Sequence, residues 1–174
     1  MLERFFPDEQ YGSIHSIPFA DLRAGGIEAL LIDIDNTLAP FDVPDPPDEI
    51  IHLLRSLGDR GFRVCLLSNN SNSRVERFNR PLKLPAIAKA GKPGKRCVQQ
   101  ALAMLSANAD KAVLIGDQIF TDVWCGKRCG LRTIHVLPLA QRDEWTVRLK
   151  RKPEQLVLRA YKKNAAPHHK EKQI

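Results

Sequence analysis

The sequence lacks long apolar runs and has few aromatic residues and few cysteines. No apolar run approaches the ~18–20 residues that cross a bilayer, and those at 29–32 and 64–67 have the length of a strand. The four cysteines need not form a disulfide framework, because 174 residues suffice for a hydrophobic core. The first ten residues include acids and a proline, unlike a signal peptide. We therefore expect a cytoplasmic protein without a signal peptide or transmembrane segment, with a peripheral location on the inner face of a membrane as an alternative.

Composition and charge predict one globular domain with a basic end. With 43% hydrophobic and 27% charged residues, disorder is excluded as the general state. The segment from Arg142 onward contains ten basic and four acidic residues, so six of the seven net positive charges lie there. Aromatic residues make up only 6% of the chain and offer few platforms on which bases could stack. We expect no nucleic acid partner, and a basic nucleic-acid-binding module is kept as an alternative.

Short apolar runs alternate with helical patterns along the chain. The runs predict strands at 28–33, 62–68, 112–116 and 132–137, and a weaker one at 85–88. Apolar residues recur at helical spacing after the prolines at 46–47 and again after Gly94. This alternation predicts an α/β fold with a single doubly wound parallel sheet.

Polar clusters follow the ends of four predicted strands. They are Asp33-Ile-Asp35-Asn-Thr37, Ser68-Asn-Asn70, Gly91-Lys92-Pro93-Gly94 and Gly116-Asp117 with Asp122. Ligands of doubly wound sheets bind at the carboxyl ends of the strands. The clusters therefore predict a single site at that edge of the sheet.

The residue types in these clusters favour phosphoryl transfer. Asp33, Asp35 and Asp117 would form an acid cluster, whose mutual repulsion is costly without a cation. Oxygen ligands without histidine favour a hard ion, and we expect Mg²⁺. Lys92 would balance the charge of a phosphoryl group, and Ser68, with the amide after it, would bind a phosphate oxygen. One carboxylate would be the nucleophile, and the second would protonate the departing alkoxide.

In their order and spacing, the four clusters resemble the motifs of the haloacid-dehalogenase (HAD) phosphatase superfamily, over about residues 29–137. The segments 33–38, 67–70 and 91–93 are similar to the YqeG-type branch of subclass III. The resemblance implies that Asp33 is the nucleophile and a Mg²⁺ ligand. It implies that Asp35 is the acid/base, with its backbone carbonyl on the metal, and that Asp117 is a further metal ligand.

The resemblance also assigns the remaining site residues. Ser68, Asn69 and Lys92 would bind the substrate phosphate, and Thr37 and Asp122 would be supporting residues. The implied activity is Mg²⁺-dependent hydrolysis of a phosphomonoester through an aspartyl-phosphate intermediate. Within the YqeG-type branch, the implied substrate is phosphatidylglycerophosphate, an anionic lipid.

The chain divides into four predicted segments. They are an N-terminal extension (1–26), a Rossmann-like HAD core (27–140), a basic amphipathic helical tail (141–163) and an end expected to be disordered (164–174). The connections after the first and second motifs are too short for a cap domain, so the site would be open to a large or surface-bound substrate. The tail combines apolar and basic residues, as a helix on an anionic membrane does. Alternatively, its apolar stripe packs against the sheet.

Other functions remain as alternatives. The protein could hydrolyse a soluble small-molecule, protein or nucleic-acid phosphate. A phosphoacceptor switch also uses an acid cluster, a hydroxyl residue and a lysine, but an acid/base at Asp35 favours turnover. Nothing in the sequence specifies an oligomeric state.

Overall fold

The computed structural model describes residues 2–139 and 153–162, which form one layer of sheet with helices on both faces. The six strands in these residues are β1 (Glu9–Tyr11), β2 (Ala29–Asp33), β3 (Arg63–Leu67), β4 (Ala86–Ile87), β5 (Ala112–Gly116) and β6 (Arg132–Val136). The α-helices there are α1 (Phe19–Ala24), α2 (Asp48–Asp59), α3 (Asn72–Asn79), α4 (Arg96–Met104), α5 (Trp124–Arg128) and α6 (153–162). A π-helical turn, Ile119–Val123, precedes α5.

The sheet is parallel throughout, with the strand order β1-β6-β5-β2-β3-β4. From β2 the chain adds strands on one side and then returns to add β5 and β6 on the other. The strand order therefore reverses between β2 and β5, which is where such sheets bind ligands. The predicted doubly wound α/β fold is confirmed.

The central strands are continuous apolar runs because both of their faces are covered. Every residue of β2 and of β5 is buried. Leu30 and Ile32 pack into one hydrophobic core, whereas Ala29 and Leu31 face a second core on the opposite side of the sheet. This alternation follows from the two-residue period of a strand.

The segment before residue 27, predicted as an extension, contributes β1 to the sheet. Gln10 lies opposite His135 of β6, and Glu9 forms an ion pair with Arg132 at 2.6 Å. The short sequence Glu9–Tyr11 has no apolar run, since an edge strand is only partly covered. Its pairing therefore left no pattern from which the strand could be predicted.

The connections around the site are short, as predicted. Between Asn70 and Lys92 the chain forms only α3 and the two-residue strand β4. Between Leu38 and Pro47 it forms a loop. Neither connection contains a cap domain, so the carboxyl edge of the sheet is left uncovered by an inserted domain.

The described part of the C-terminal segment packs on the core. Val157 of α6 is 3% exposed and contacts Ile119 and Val123, whereas its neighbour Leu156 is 63% exposed. The predicted basic tail otherwise falls at 141–152 and 163, outside the described residues, as does the end at 164–174. Among the described helices, none is long and apolar enough to cross a bilayer.

We predict that Val157→Asp destabilises the protein by about 2 kcal/mol or more, because it places a carboxylate in an apolar contact. The matched variant Leu156→Asp, on the exposed side of α6, should change the free energy of unfolding by less than ~0.5 kcal/mol. Urea unfolding of both variants measures the difference. Equal stability of the two would mean that α6 does not pack on the core in solution.

Candidate active site

The side chain of Lys92 lies at the centre of the site, in the loop between β4 and α4. Its ammonium donates to Asp33 Oδ1 at 2.5 Å and to the Leu67 carbonyl at 3.1 Å, and it forms an ion pair with Asp122 Oδ1 at 2.7 Å. Burial lowers the pKa of Lys92, but the two adjacent carboxylates raise it more strongly. Lys92 is therefore a buried, charged cation with three oxygen atoms around it.

Three buried carboxylates meet beside this lysine. Asp33 ends β2, Asp117 follows β5, and Asp122 lies in the π-helical turn, and each offers an oxygen within 4.8 Å of the others. Asp122 packs against the end of β5, since a Cβ at Gly116 would lie 2.4 Å from its Cγ. The glycine therefore allows the acid to approach the backbone. The amide of Gln118 donates to Asp122 Oδ2 at 3.1 Å and fixes its orientation.

The electrostatics of this group fit a divalent cation. Burial raises the pKa of Asp33 to about 7, and the nearby Asp122 and Asp35 raise it too, against the effect of Lys92. Lys92 supplies one positive charge, so balancing three ionised carboxylates takes two more. Carboxylate oxygens without nitrogen or sulfur ligands are the donor set of a hard divalent ion.

The chain turns sharply after β2, and this turn separates Asp35 from Asp33. Asn36 has a φ of 63°, and the amide of Leu38 donates back to the Ile34 carbonyl at 2.9 Å. The side-chain cluster predicted from the sequence comprised Asp33, Asp35 and Asp117. In the structure, Asp33 and Asp117 are grouped with Asp122 and not with Asp35. The prediction gave Asp122 a supporting role.

The carboxylate of Asp35 has partners of its own. Ser68 Oγ donates to its Oδ2 at 3.0 Å, and the guanidinium of Arg74 forms an ion pair with its Oδ1 at 3.1 Å. Its side chain is therefore excluded from the metal-ligand group, and only its backbone carbonyl stays a predicted ligand. The hydroxyl of Thr37 donates to Asp33 Oδ2 at 3.3 Å, and its supporting role stays a prediction.

The second predicted cluster holds the lysine loop in place. The side-chain amide of Asn69 accepts from the Lys92 amide at 2.9 Å and donates to the Lys92 carbonyl at 3.2 Å. Ser68 Oγ accepts from the Asn70 amide at 3.0 Å. The Asn69 side chain thus positions Lys92, and the roles of Ser68 and Asn69 in phosphate binding stay predictions.

Two hydrogen bonds to the backbone of the turn that carries the acids were not predicted from the sequence. His135 Nε2 lies 2.9 Å from the Asp117 carbonyl, and its Nδ1 lies 3.1 Å from the Gln10 amide nitrogen. From α6, Glu154 Oε1 accepts from the Phe120 amide at 3.4 Å. A histidine inside an apolar strand was the available signal for the first of these, and none indicated the second.

A cavity of about 220 Å³ opens over these side chains. Its lining includes Asp33, Asp35, Asn69, Asn70, Lys92 and Phe41. Asp33 and Asp35 therefore line the same cavity, although their hydrogen-bond partners differ. The predicted convergence of the four clusters at one edge of the sheet is what the structure shows.

Comparisons with known proteins identify the family of the chain. The HAD-hydrolase-like family profile matches residues 89–163. The chain is 35% identical to the probable phosphatase YqeG of Bacillus subtilis, over 94% of this chain and 95% of that protein. The chain belongs to the HAD phosphatase family. It is a phosphoric monoester hydrolase of that family, as the four motifs predicted.

Two further likenesses are informative at different levels. A chloroplastic phosphatidylglycerophosphate phosphatase 1 of Chlamydomonas reinhardtii is 30% identical over 75% of this chain, which spans about half (52%) of that protein. The crystal structure of an HAD phosphatase from Thermococcus onnurineus superposes with a TM-score of 0.55, covering 68% of this chain and 90% of that one. At 14% identity, this second likeness confirms the fold alone.

We predict that Asp33→Asn raises the thermal stability of the cation-free protein at pH 8. The folded pKa of Asp33, about 7, lies above its ordinary value of 3.8, so folding binds a proton between these values. Stability therefore falls as pH rises through this range, and ionised Asp33 is destabilising above pH 7. In EDTA, the Tm of the variant should exceed that of the wild type by about 3 °C at pH 8, and by less at pH 5.

Asp45→Asn is the matched control, since a hydrogen bond from Arg77 lowers the pKa of that exposed acid. Its Tm at pH 8 should not rise. Added Mg²⁺ should raise the Tm of the wild type more than that of Asp33→Asn. If the Asp33 variant gains no stability at pH 8, burial and the neighbouring acids do not raise the pKa of Asp33 above its ordinary value.

Proposed function

We propose that the protein is a Mg²⁺-dependent phosphomonoesterase that works through a phosphorylated Asp33 and acts on phosphatidylglycerophosphate. The observation that supports the chemistry is the division of the acids into two environments. Asp33 belongs to a three-carboxylate group with a lysine, whereas Asp35 lies outside that group with Arg74 and Ser68.

Each acid would take one task in the reaction. A carboxylate oxygen of Asp33 attacks phosphorus, and the bond from phosphorus to the leaving oxygen breaks. Asp35 gives its proton to that oxygen, and the alcohol departs. A water then attacks the phosphorus of the intermediate, and Asp35 takes the proton from this water. Phosphate leaves, and Asp33 is regenerated.

The cation and the lysine would balance charge. Asp33, Asp117 and Asp122 are the side chains that would hold Mg²⁺, which would lower the repulsion between the ionised Asp33 and the incoming phosphate. Lys92 contacts two of these acids directly. It lies in the wall of the cavity, where an ammonium can stabilise the negative charge on phosphoryl oxygens.

We predict that Asp33→Asn lowers the hydrolysis of p-nitrophenyl phosphate at least about a thousandfold, because an amide cannot form the acyl phosphate. EDTA should abolish wild-type turnover, and Mg²⁺ should restore it. The control is Asp45→Asn, which removes an exposed acid that pairs with Arg77 and not with the three carboxylates. This variant should keep wild-type rates. Near-normal turnover by Asp33→Asn would show that Asp33 is not the nucleophile.

Three observations support a lipid substrate. A relative that matches 75% of the chain bears the name phosphatidylglycerophosphate phosphatase. The connections around the site contain no cap domain, so a phosphate at a surface can approach it. The segment from Arg142 onward holds most of the net positive charge of the chain, which suits an anionic surface.

We predict that vesicles containing phosphatidylglycerophosphate are a better substrate than glycerol 3-phosphate, which offers a terminal phosphomonoester without acyl chains. Phosphate release is measured with wild-type protein and Mg²⁺, and Asp33→Asn reports the background. The expected kcat/KM for the lipid is at least about tenfold higher. If a soluble sugar or nucleotide phosphate is cleaved faster and the vesicles release no phosphate, the lipid substrate is wrong and the substrate is a soluble phosphate.

A further inference from the structure

Arg74 is a cation at the site to which none of the four motifs assigns a task. It lies in the first turn of α3, three residues after Ser71, whose Oγ accepts from the Arg74 amide at 3.3 Å and begins the helix. Its guanidinium donates twice to Asp35 Oδ1, from Nε at 3.3 Å and from Nη2 at 3.1 Å. The side chain is only 11% exposed.

The guanidinium is itself fixed on two further sides. Nη1 donates to the Pro44 carbonyl at 2.7 Å, and the carbon at its centre lies 5.2 Å from the ring centroid of Phe78. Pro44 belongs to the loop after the first motif, and Phe78 is buried in α3. Arg74 therefore links this loop to α3 and presents a rigid, planar donor to the acid.

The two oxygens of Asp35 are thus held from different elements. Arg74 holds Oδ1 from α3, and Ser68 holds Oδ2 from the end of β3. A carboxylate restrained at both oxygens has a fixed direction. Without the guanidinium, Asp35 would keep one hydrogen bond and could rotate toward solvent.

We propose that Arg74 is a positioning residue, which holds the Asp35 carboxyl where it gives its proton to the leaving oxygen and then receives one from water. This inference rests on the proposed mechanism. Misplacing an acid by about an ångström weakens proton transfer but leaves the attack of Asp33 on phosphorus intact. Loss of Arg74 should therefore slow only the steps in which Asp35 gives or receives a proton.

Two aryl phosphates of similar size separate these steps. The leaving group of p-nitrophenyl phosphate departs without protonation, whereas that of phenyl phosphate benefits from a proton. We expect Arg74→Gln to lower kcat/KM for phenyl phosphate at least about tenfold more than for p-nitrophenyl phosphate. With p-nitrophenyl phosphate, the variant should also show a burst of nitrophenol, because hydrolysis of the aspartyl phosphate still requires the base.

The controls use the same helix and the same acid. Arg77→Gln removes the next arginine of α3, which forms an exposed ion pair with Asp45 at 2.7 Å, and should leave both substrates unaffected. Arg74→Lys, which keeps the charge without the planar fork, should recover part of the loss. In an Asp35→Asn background, Arg74→Gln should cause little further loss, since the two residues act as a unit.

The outcomes distinguish this inference from the function on which it rests. If the wild type hydrolyses neither aryl phosphate, the proposed function fails. If the wild type is active and Arg74→Gln slows both substrates equally, or its effect adds fully to that of Asp35→Asn, Arg74 has only a structural role. A selective loss with phenyl phosphate supports positioning, and thermal unfolding of the variant shows that it is folded.

Discussion

The buried ammonium of Lys92 is held by three oxygen atoms, which come from the ends of three neighbouring strands or the turn that follows. Asp33 comes from the end of β2, the Leu67 carbonyl from the end of β3, and Asp122 from the turn after β5. Removing the ammonium would cost about 3–5 kcal/mol, because it would leave two buried carboxylates without their cation. The ion pairs therefore fix how closely the loop after β4 approaches the acids. The side-chain amide of Asn69 holds the backbone of the same loop from the other side.

Both ends of the described chain stabilise the turn on which the acids lie. Gln10 of β1 contacts His135, which in turn contacts the backbone of Asp117. Glu154 of α6 accepts from the backbone of Phe120, two residues before Asp122. These segments lie outside the core of 27–140 that the motifs define, yet their hydrogen bonds reach the peptide groups between the two acids. The geometry of the site thus depends on segments that contribute no motif residue.

The sequence predicted what is encoded in local patterns, and the rest depends on tertiary contacts. Strands covered on both faces, such as β2, leave continuous apolar runs, whereas β1 at the edge left none. The four clusters were found because parallel strands end at one edge of the sheet. Spacing did not show that the chain turns at Asn36, so Asp35 was grouped with Asp33 and Asp117 in one acid cluster. Arg74 was missed because its role depends on a contact with Asp35, which is far away in the sequence.

A structural ion pair would need one carboxylate for one ammonium, and this site has three. The surplus is unfavourable for the fold alone, since burial and repulsion raise the pKa of Asp33 to about 7. A divalent cation bound by these acids would offset the surplus and would lower the repulsion of an anionic substrate. Asp35 would have added a fourth negative charge to the group, but Arg74 and Ser68 hold it apart. Two carboxylates two residues apart in the sequence therefore have different partners, which allows them different tasks at one site.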